Sequence, residues 1–241
     1  MQYLPVLIVL AVLTLVGLVG YLSWQAEKKR RAEFASFAAA QGWQFAADDP
    51  YGLDNRWDGH PFGQGHSREA HNVFTGTARG GYPMVAFDYQ YKETSTDSKG
   101  NSSTTTYRFA VCALQLPCRM PGLHVGKENI LTRIGSAVGF ADIEFESDDF
   151  NRAFRVKCDD PKFASDVLHP RAMELLLQHG RGVEWRFDGY DMLSWRSGRL
   201  GIPDLLQRLD VMRRVIESIP SFVWKDRGHD PGARSQTQGG S

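Results

Sequence analysis

Three histidines, His60, His66 and His71, fall within a dozen residues, with Glu69 between the last two. Imidazole nitrogens and carboxylate oxygens are the donors of a zinc site, so this is the segment whose composition best suggests a metal. Its spacing does not. On a strand, His66 and His71 point to opposite faces, and Gly59, Gly63 and Gly65 signal turns. Loop and surface histidines are the competing reading, and no metal ligand, cofactor site or catalytic residue is assigned.

The second candidate is acidic: Glu144, Glu146, Asp148 and Asp149. Paired carboxylates can exchange protons or hold calcium, and Glu144 and Glu146 would share a strand face. Ser147-Asp148-Asp149 also reads as a turn between two strands, with Arg152 and Arg155 available as ion-pair partners. Cys112, Cys118 and Cys158 are odd in number and lack CxxC spacing, so they make neither a disulfide framework nor a zinc knuckle. Cys112 and Cys158 fit better as small buried residues; one pair could bridge if the domain were exported. Neither glycine-rich stretch, His60–Gly65 or Gly76–Gly81, matches a phosphate-binding loop, and no GxSxG, HExxH or SxxK motif occurs.

The element that must position any such site starts at the N-terminus. Leu4 to Ser23 carries no charge, and about 20 apolar residues in a helix span the ~30 Å hydrocarbon core. Tyr3, Tyr21 and Trp24 suit the two headgroup layers. A cleavable signal would need a basic leader and a shorter core; this run has neither, so residues 1–25 are expected to be an uncleaved transmembrane helix. Lys28, Lys29, Arg30 and Arg31 follow at once. By the positive-inside bias they hold the C-terminal side in the cytoplasm with the N-terminus outside. They are also the expected membrane-surface contact, each attracting anionic lipid by about 1 kcal/mol.

Residues 26–41 have helix-forming composition and end at Gly42. Phe34, Phe37, Ala38 and Gln41 share a face expected to dock on the domain. Residues 42–224 make one domain, and 225–241, rich in Gly, Ser, Gln and Arg, read as a disordered tail. The chain has 28 basic and 28 acidic residues, of which the flank and tail leave 21 and 24 in the domain. A mildly acidic domain without a basic stripe argues against nucleic acid as a partner.

Within the domain, strands come first. Ala70–Ala78, a Gly80-Gly81 turn, Tyr82–Tyr91 and Tyr107–Leu116 predict hairpins, with Lys92–Thr106 as a long polar loop. Phe140–Glu146 and Asn151–Cys158 predict further strands. Asp160-Pro161 then caps a helix, Pro170–His179 makes a second, and Val183–Phe187 enters an Asp188-Gly189 turn with Tyr190–Arg196 returning. Pro203–Ser218 is an amphipathic helix. The fold class is α+β, a largely antiparallel, curved sheet packed against C-terminal helices and preceded by one transmembrane helix.

Glu146-Ser-Asp-Asp-Phe150-Asn-Arg-Ala-Phe154-Arg-Val156, followed by Asp160, Ala164, Leu168 and Pro170, resembles an uncharacterised bacterial family of membrane-anchored domains. Its mark is an E-x-x-x-F-x-x-x-F-x-V core and a helix ending in L-x-P. The resemblance is strong from Glu144 to Gln178 and extends to Trp57–Gly63 and the juxtamembrane helix. It implies no catalytic or ligand residues, since that family has no established activity. Phe150, Phe154 and Val156 read as the inward face of a strand.

The functional expectation is a membrane-tethered, non-enzymatic module on the cytoplasmic face, meeting the bilayer, anionic lipid at the basic flank, and an unidentified protein partner. Two alternatives stand beside it. One is a membrane-anchored hydrolase-like enzyme that combines His60, His66 or His71 with the carboxylates near Glu144; the other is an exported sensor.

Overall fold

The computed structural model describes residues 4–127 and 141–231. Helix α1 (Leu4–Gln41) is one unbroken element, and it is long and apolar enough to cross a membrane. From Leu10 to Trp24 its large apolar side chains are all exposed, with no domain surface against them. Ten residues on from Trp24 it docks: Phe34 and Ala38 are buried and Phe37 half-buried, as the spacing predicts, whereas Gln41 stays exposed.

Gly42, at φ 69°, reverses the chain, and β1 (Gln44–Asp48), which sequence patterning missed, runs back beside α1. It pairs with β2 (His66–Thr77), which pairs with β3 (Pro83–Thr96), which pairs with β4 (Ser102–Gly126). The Gly80-Gly81 turn between β2 and β3 is present, both glycines at positive φ. β4 is the hub. Its first part pairs with β3, its last residues with β6 (Arg155–Cys158), and its other edge with β7 (Glu184–Ser197). β5 (Ala141–Ile143) adds to β6. The described residues thus form an open, antiparallel seven-stranded sheet.

Four expectations change. Lys92–Thr106 is not a long loop: β3 and β4 continue to Thr96 and Ser102, leaving a turn at Asp97–Asn101. Threonine is β-branched and suits a strand, but an all-polar ribbon has no apolar alternation to betray it. Asp188-Gly189 does not turn the chain. β7 runs straight through, with Gly189 at φ 61° opposite Met120. There Pro117 and Pro121 interrupt β4, and extra residues bulge out of it.

The third correction concerns Asn151–Cys158, whose first half is helix. In α2 (Asp148–Ala153) Ser147 caps the N-terminus, its hydroxyl accepting from Phe150 N at 3.3 Å. Asp148 and Asp149 occupy the first turn, where the helix dipole favours carboxylates. Phe150 is therefore buried from a helix, not a strand. The four-residue spacing of Phe150 and Phe154 is a helical spacing, and their rings meet at 5.0 Å. The predicted strand at 140–146 is confined to β5, and Phe140 lies outside the described residues.

Asp160 caps α3 (Pro161–Val167) as expected, accepting from Phe163 N at 3.0 Å. α4 (Pro170–Leu175) runs on as a π-turn to Gly180. α5 (Ile202–Ser218) lays Leu205, Leu209, Met212 and Val215 on the sheet, and α6 (Ser221–Lys225) follows Pro220. Past α6, Arg227 lies over the Phe163 ring at 4.5 Å, and His229 N donates to Trp224 O. The remainder of the predicted tail, 232–241, lies outside the described residues.

The sheet separates two apolar clusters. One lies under α1 and α5, around Phe74, Ala86, Cys112 and Met212. The other lies under the irregular 49–65 segment, where Leu53, Trp57 and Phe62 cover Phe87, Tyr89, Val111 and Trp195. Both faces are buried, so β3 and β4 bury consecutive residues rather than alternate ones.

Candidate functional site at the helix–sheet junction

The predicted site residues are not brought together. His60 is buried, its ring set edge-on against Phe109 and Trp195 at 5.2 and 6.1 Å. His66 is exposed on β2, bonded to Ser67 and Thr94 hydroxyls. His71 is half-buried on the helix-covered side, 4.0 Å from Asp88. Glu144, Glu146, Asp148 and Asp149 are all exposed, in the β5–α2 region, at the opposite end of the strand order from β2. Among the described residues no group of three or more His, Cys, Asp or Glu side chains is placed to hold a metal ion. The three cysteines are buried thiols, pushed up in pKa chiefly by that burial.

A different polar cluster sits where α1 meets the sheet. Asp88 is a buried carboxylate on β3, in a row with Met84 and Ala86 that faces α1 and α5. It accepts from Arg30 Nη2 at 2.8 Å, Asn72 Nδ2 at 2.9 Å and the Leu200 backbone N–H at 2.6 Å. Arg30 also donates to Leu200 O at 2.8 Å and lies over the Phe34 ring at 4.6 Å. Its side chain is only 16 % exposed. Of the four cations expected at the lipid surface, Arg30 is therefore turned into the domain, and Arg31 leans on Glu27. Lys28 and Lys29 stay exposed.

The backbone is shaped for this cluster. A register shift between His71 and Phe74 puts Asn72 at φ 54°, a left-handed conformation that asparagine tolerates better than most residues. The bulge aims the Asn72 amide at both Asp88 and Glu27, the latter at 3.3 Å. Glu27 in turn meets Arg199 at 3.3 Å. Burial alone would raise the Glu27 pKa, but the Asn72 hydrogen bond and the guanidiniums of Arg199, Arg30 and Arg31 hold it below the usual value. The His71 pKa is lowered too, but by a different cause. Burial lowers its pKa, outweighing the pull of Asp88 and Glu27, so the ring is neutral near pH 7.

Chemically this arrangement is a clamp. A buried ion pair with a backbone N–H and an amide on the same carboxylate fixes α1 against β3 and against the start of α5. Its charges are paired with one another, while Arg30 Nη1, Arg31 Nε, Glu27 Oε2 and Asn72 Oδ1 are buried without a hydrogen-bond partner among the described residues. The signal available in the sequence was a lone Asp in Val85-Ala86-Phe87-Asp88-Tyr89. Strand alternation places it with Met84, Ala86 and Gln90 and does not mark it as a buried carboxylate.

A second polar group, also missed, lies on the opposite face. His124 Nε2 and Glu184 Oε1 are 3.0 Å apart and buried, and the His124 ring lies 5.4 Å from Trp195. Arg186, beside them, stacks on Trp195, donates to the carbonyls of His60 and Asp58, and pairs with Asp188. Those bonds pin the 49–65 segment to β7. The wider clefts lie elsewhere, one of about 610 Å³ at the far end of the sheet between the Gly80-Gly81 turn and Trp224.

No family model and no curated protein matches the chain. Among solved structures, the crystal structure of the mycobacterial trehalose monomycolate transport factor A, TtfA, matches with a TM-score of 0.52. Identity is 12 %, over 79 % of this chain and 96 % of that one. The sheet with its helices is thus a fold that this chain shares with that transport factor.

Proposed function

We propose that this chain is a membrane-tethered, non-catalytic module that holds its domain in a fixed posture at the bilayer surface and serves a lipid-handling process. The observation that carries the reading is the Arg30–Asp88 clamp. It joins a helix able to cross a membrane directly to the sheet, with no flexible linker between them. The fold shared with a lipid transport factor supports the lipid side of the proposal. The positive-inside bias supports a cytoplasmic domain with the N-terminus outside, with exposed Lys28 and Lys29 left to attract anionic headgroups.

The test uses the full-length chain in its cell. In-cell crosslinking with photoactivatable lipid and with protein crosslinkers should recover lipid adducts on the domain and a reproducible protein partner. A C-terminal reporter active only in the cytoplasm should be active. Recovery of neither adduct would sink the module reading, and a reporter active only after export would reverse the orientation.

A further inference from the structure

α1 and the segment just after it meet the β2–β3 hairpin at three matched levels. Arg30 meets Asp88 at 2.8 Å. Phe34 meets Phe74, the cross-strand partner of Ala86, at 5.1 Å between ring centroids. Beyond the end of α1, Trp43 donates to Thr77 O at 2.9 Å, and Thr77 pairs with Pro83. As α1 is followed toward its N-terminus, β3 is followed toward its C-terminus. The two run antiparallel, so the end of the sheet that faces the membrane is the end carrying the β3–β4 turn.

That end projects. β2 begins at His66 opposite Lys92, and β7 ends at Ser197 opposite Phe109. Past these points, among the described residues, Glu93–Thr105 is a two-stranded ribbon with no sheet neighbour on either side. Tyr91 and Tyr107 stack at its base, 5.1 Å apart. Thr94–Thr104 and Thr96–Ser102 hydroxyl pairs at 3.0 Å tie its strands. Asp97 closes the tip by accepting from the backbone N–H of Lys99 and Asn101.

The reach decides where the ribbon goes. From Asp88 to Thr96 is about 26 Å of strand, whereas from Arg30 back to Trp24 is about 9 Å of helix. Neighbouring strands twist by about 20–25°; inclined by two such steps, the ribbon would still descend about 16 Å. Its tip therefore comes at least level with Trp24, where the headgroups begin. Lys92–Thr106 has no apolar side chain, so the ribbon cannot enter hydrocarbon, where unpaired polar groups are too costly.

We propose that the Glu93–Thr105 ribbon is a second membrane contact, lying among the polar headgroups of the bilayer that holds α1. Its hydroxyls donate to phosphate and ester oxygens. Glu93 and Asp97 offset Lys92 and Lys99, so the contact does not depend on anionic lipid. The proposal rests on the anchoring reading above, and the experiment separates the two.

Full-length chain in phosphatidylcholine vesicles is nitroxide-labelled singly at Ser98→Cys, Gln25→Cys or Arg79→Cys, the native cysteines being buried. Arg79 is exposed beside the Gly80-Gly81 turn, at the opposite end of the sheet. Relaxation by a lipid carrying a nickel-chelating headgroup then reports proximity to the surface. The expected result is that labels at 25 and 98 relax several-fold more than the label at 79, with the same outcome when anionic lipid is added. A label at 98 as remote as that at 79, while 25 responds, overturns the ribbon contact and leaves the anchor intact. A silent label at 25 overturns both. A label at 98 that responds only in anionic vesicles overturns the headgroup-hydroxyl contact in favour of simple charge attraction. A Lys99→Cys label repeats the measurement at the tip if Ser98→Cys does not fold.

Discussion

The two faces of the sheet are both buried, but by different means. On one, helices α1 and α5 lie over a mixed aliphatic and aromatic cluster and enclose one carboxylate, Asp88, whose partners come from α1, β2 and the segment before α5. On the other, an irregular segment covers aromatic rings, and Arg186 fastens it through backbone carbonyls. The first face couples the domain to the membrane helix; the second completes the core. Damage to either should destabilise the protein, and only damage to the first should release α1.

The largest effect is expected for Asp88→Ala. It strands the Arg30 charge and the Leu200 N–H, and removing one partner of a buried pair costs about 3–5 kcal/mol. Urea denaturation of the full-length chain in micelles would measure it. Protease should then cut between residues 26 and 41, which should resist cleavage in the parent. Phe62→Ala, fully buried on the other face, should cost about 3 kcal/mol through its cavity and leave that segment protected. Cleavage appearing equally in both variants would erase the distinction between the faces.

The faces should also separate by pH. His71 has a lowered pKa in the folded chain, so the unfolded chain binds more protons below about 6.5. Stability should fall on acidification through that range, and His71→Gln should flatten the acid limb. Tyr89, on the other face, is pushed up to about 12 by burial, against the pull of Arg68. Above about 10 the unfolded chain loses a phenolic proton that the folded chain keeps. Stability should therefore fall again with rising pH, and Tyr89→Phe should weaken that alkaline limb. Melting temperatures across pH would test both.

The smallest effect is expected in the ribbon. Thr96→Ala is solvent-exposed and should change stability by no more than about 0.5 kcal/mol. A larger loss in calorimetry would make the ribbon part of the fold rather than an appendage to it.

Much of this was legible in the sequence, and the failures share a cause. The membrane helix, its docking residues Phe34 and Ala38, the Asp160 cap and the apolar stripe of α5 all followed from periodicity and capping. Each is a local pattern, readable within one element. β1 is too short to show a period, β7 carries a turn-like Asp-Gly straight past the bulge in β4, and the ribbon has no apolar face to alternate. The junction has no local signature, since Asp88 is one polar residue on the Met84–Ala86 face of a strand pattern. Only the docking of α1, distant in sequence, turns that face inward and makes the carboxylate a partner for Arg30.

The unbroken run of α1 has a mechanical consequence. At about 1.5 Å per residue its 38 residues make a rod of about 57 Å, seized by the domain at one end and immersed in lipid at the other. Helices answer a change in bilayer thickness by leaning, on average about 20° from the normal. A hinged stalk would absorb that lean. This rod passes it to the sheet, so a thinner bilayer would swing the far-end cleft sideways and press or lift the ribbon at the surface. The orientation of the domain is thereby geared to the lipid around its anchor.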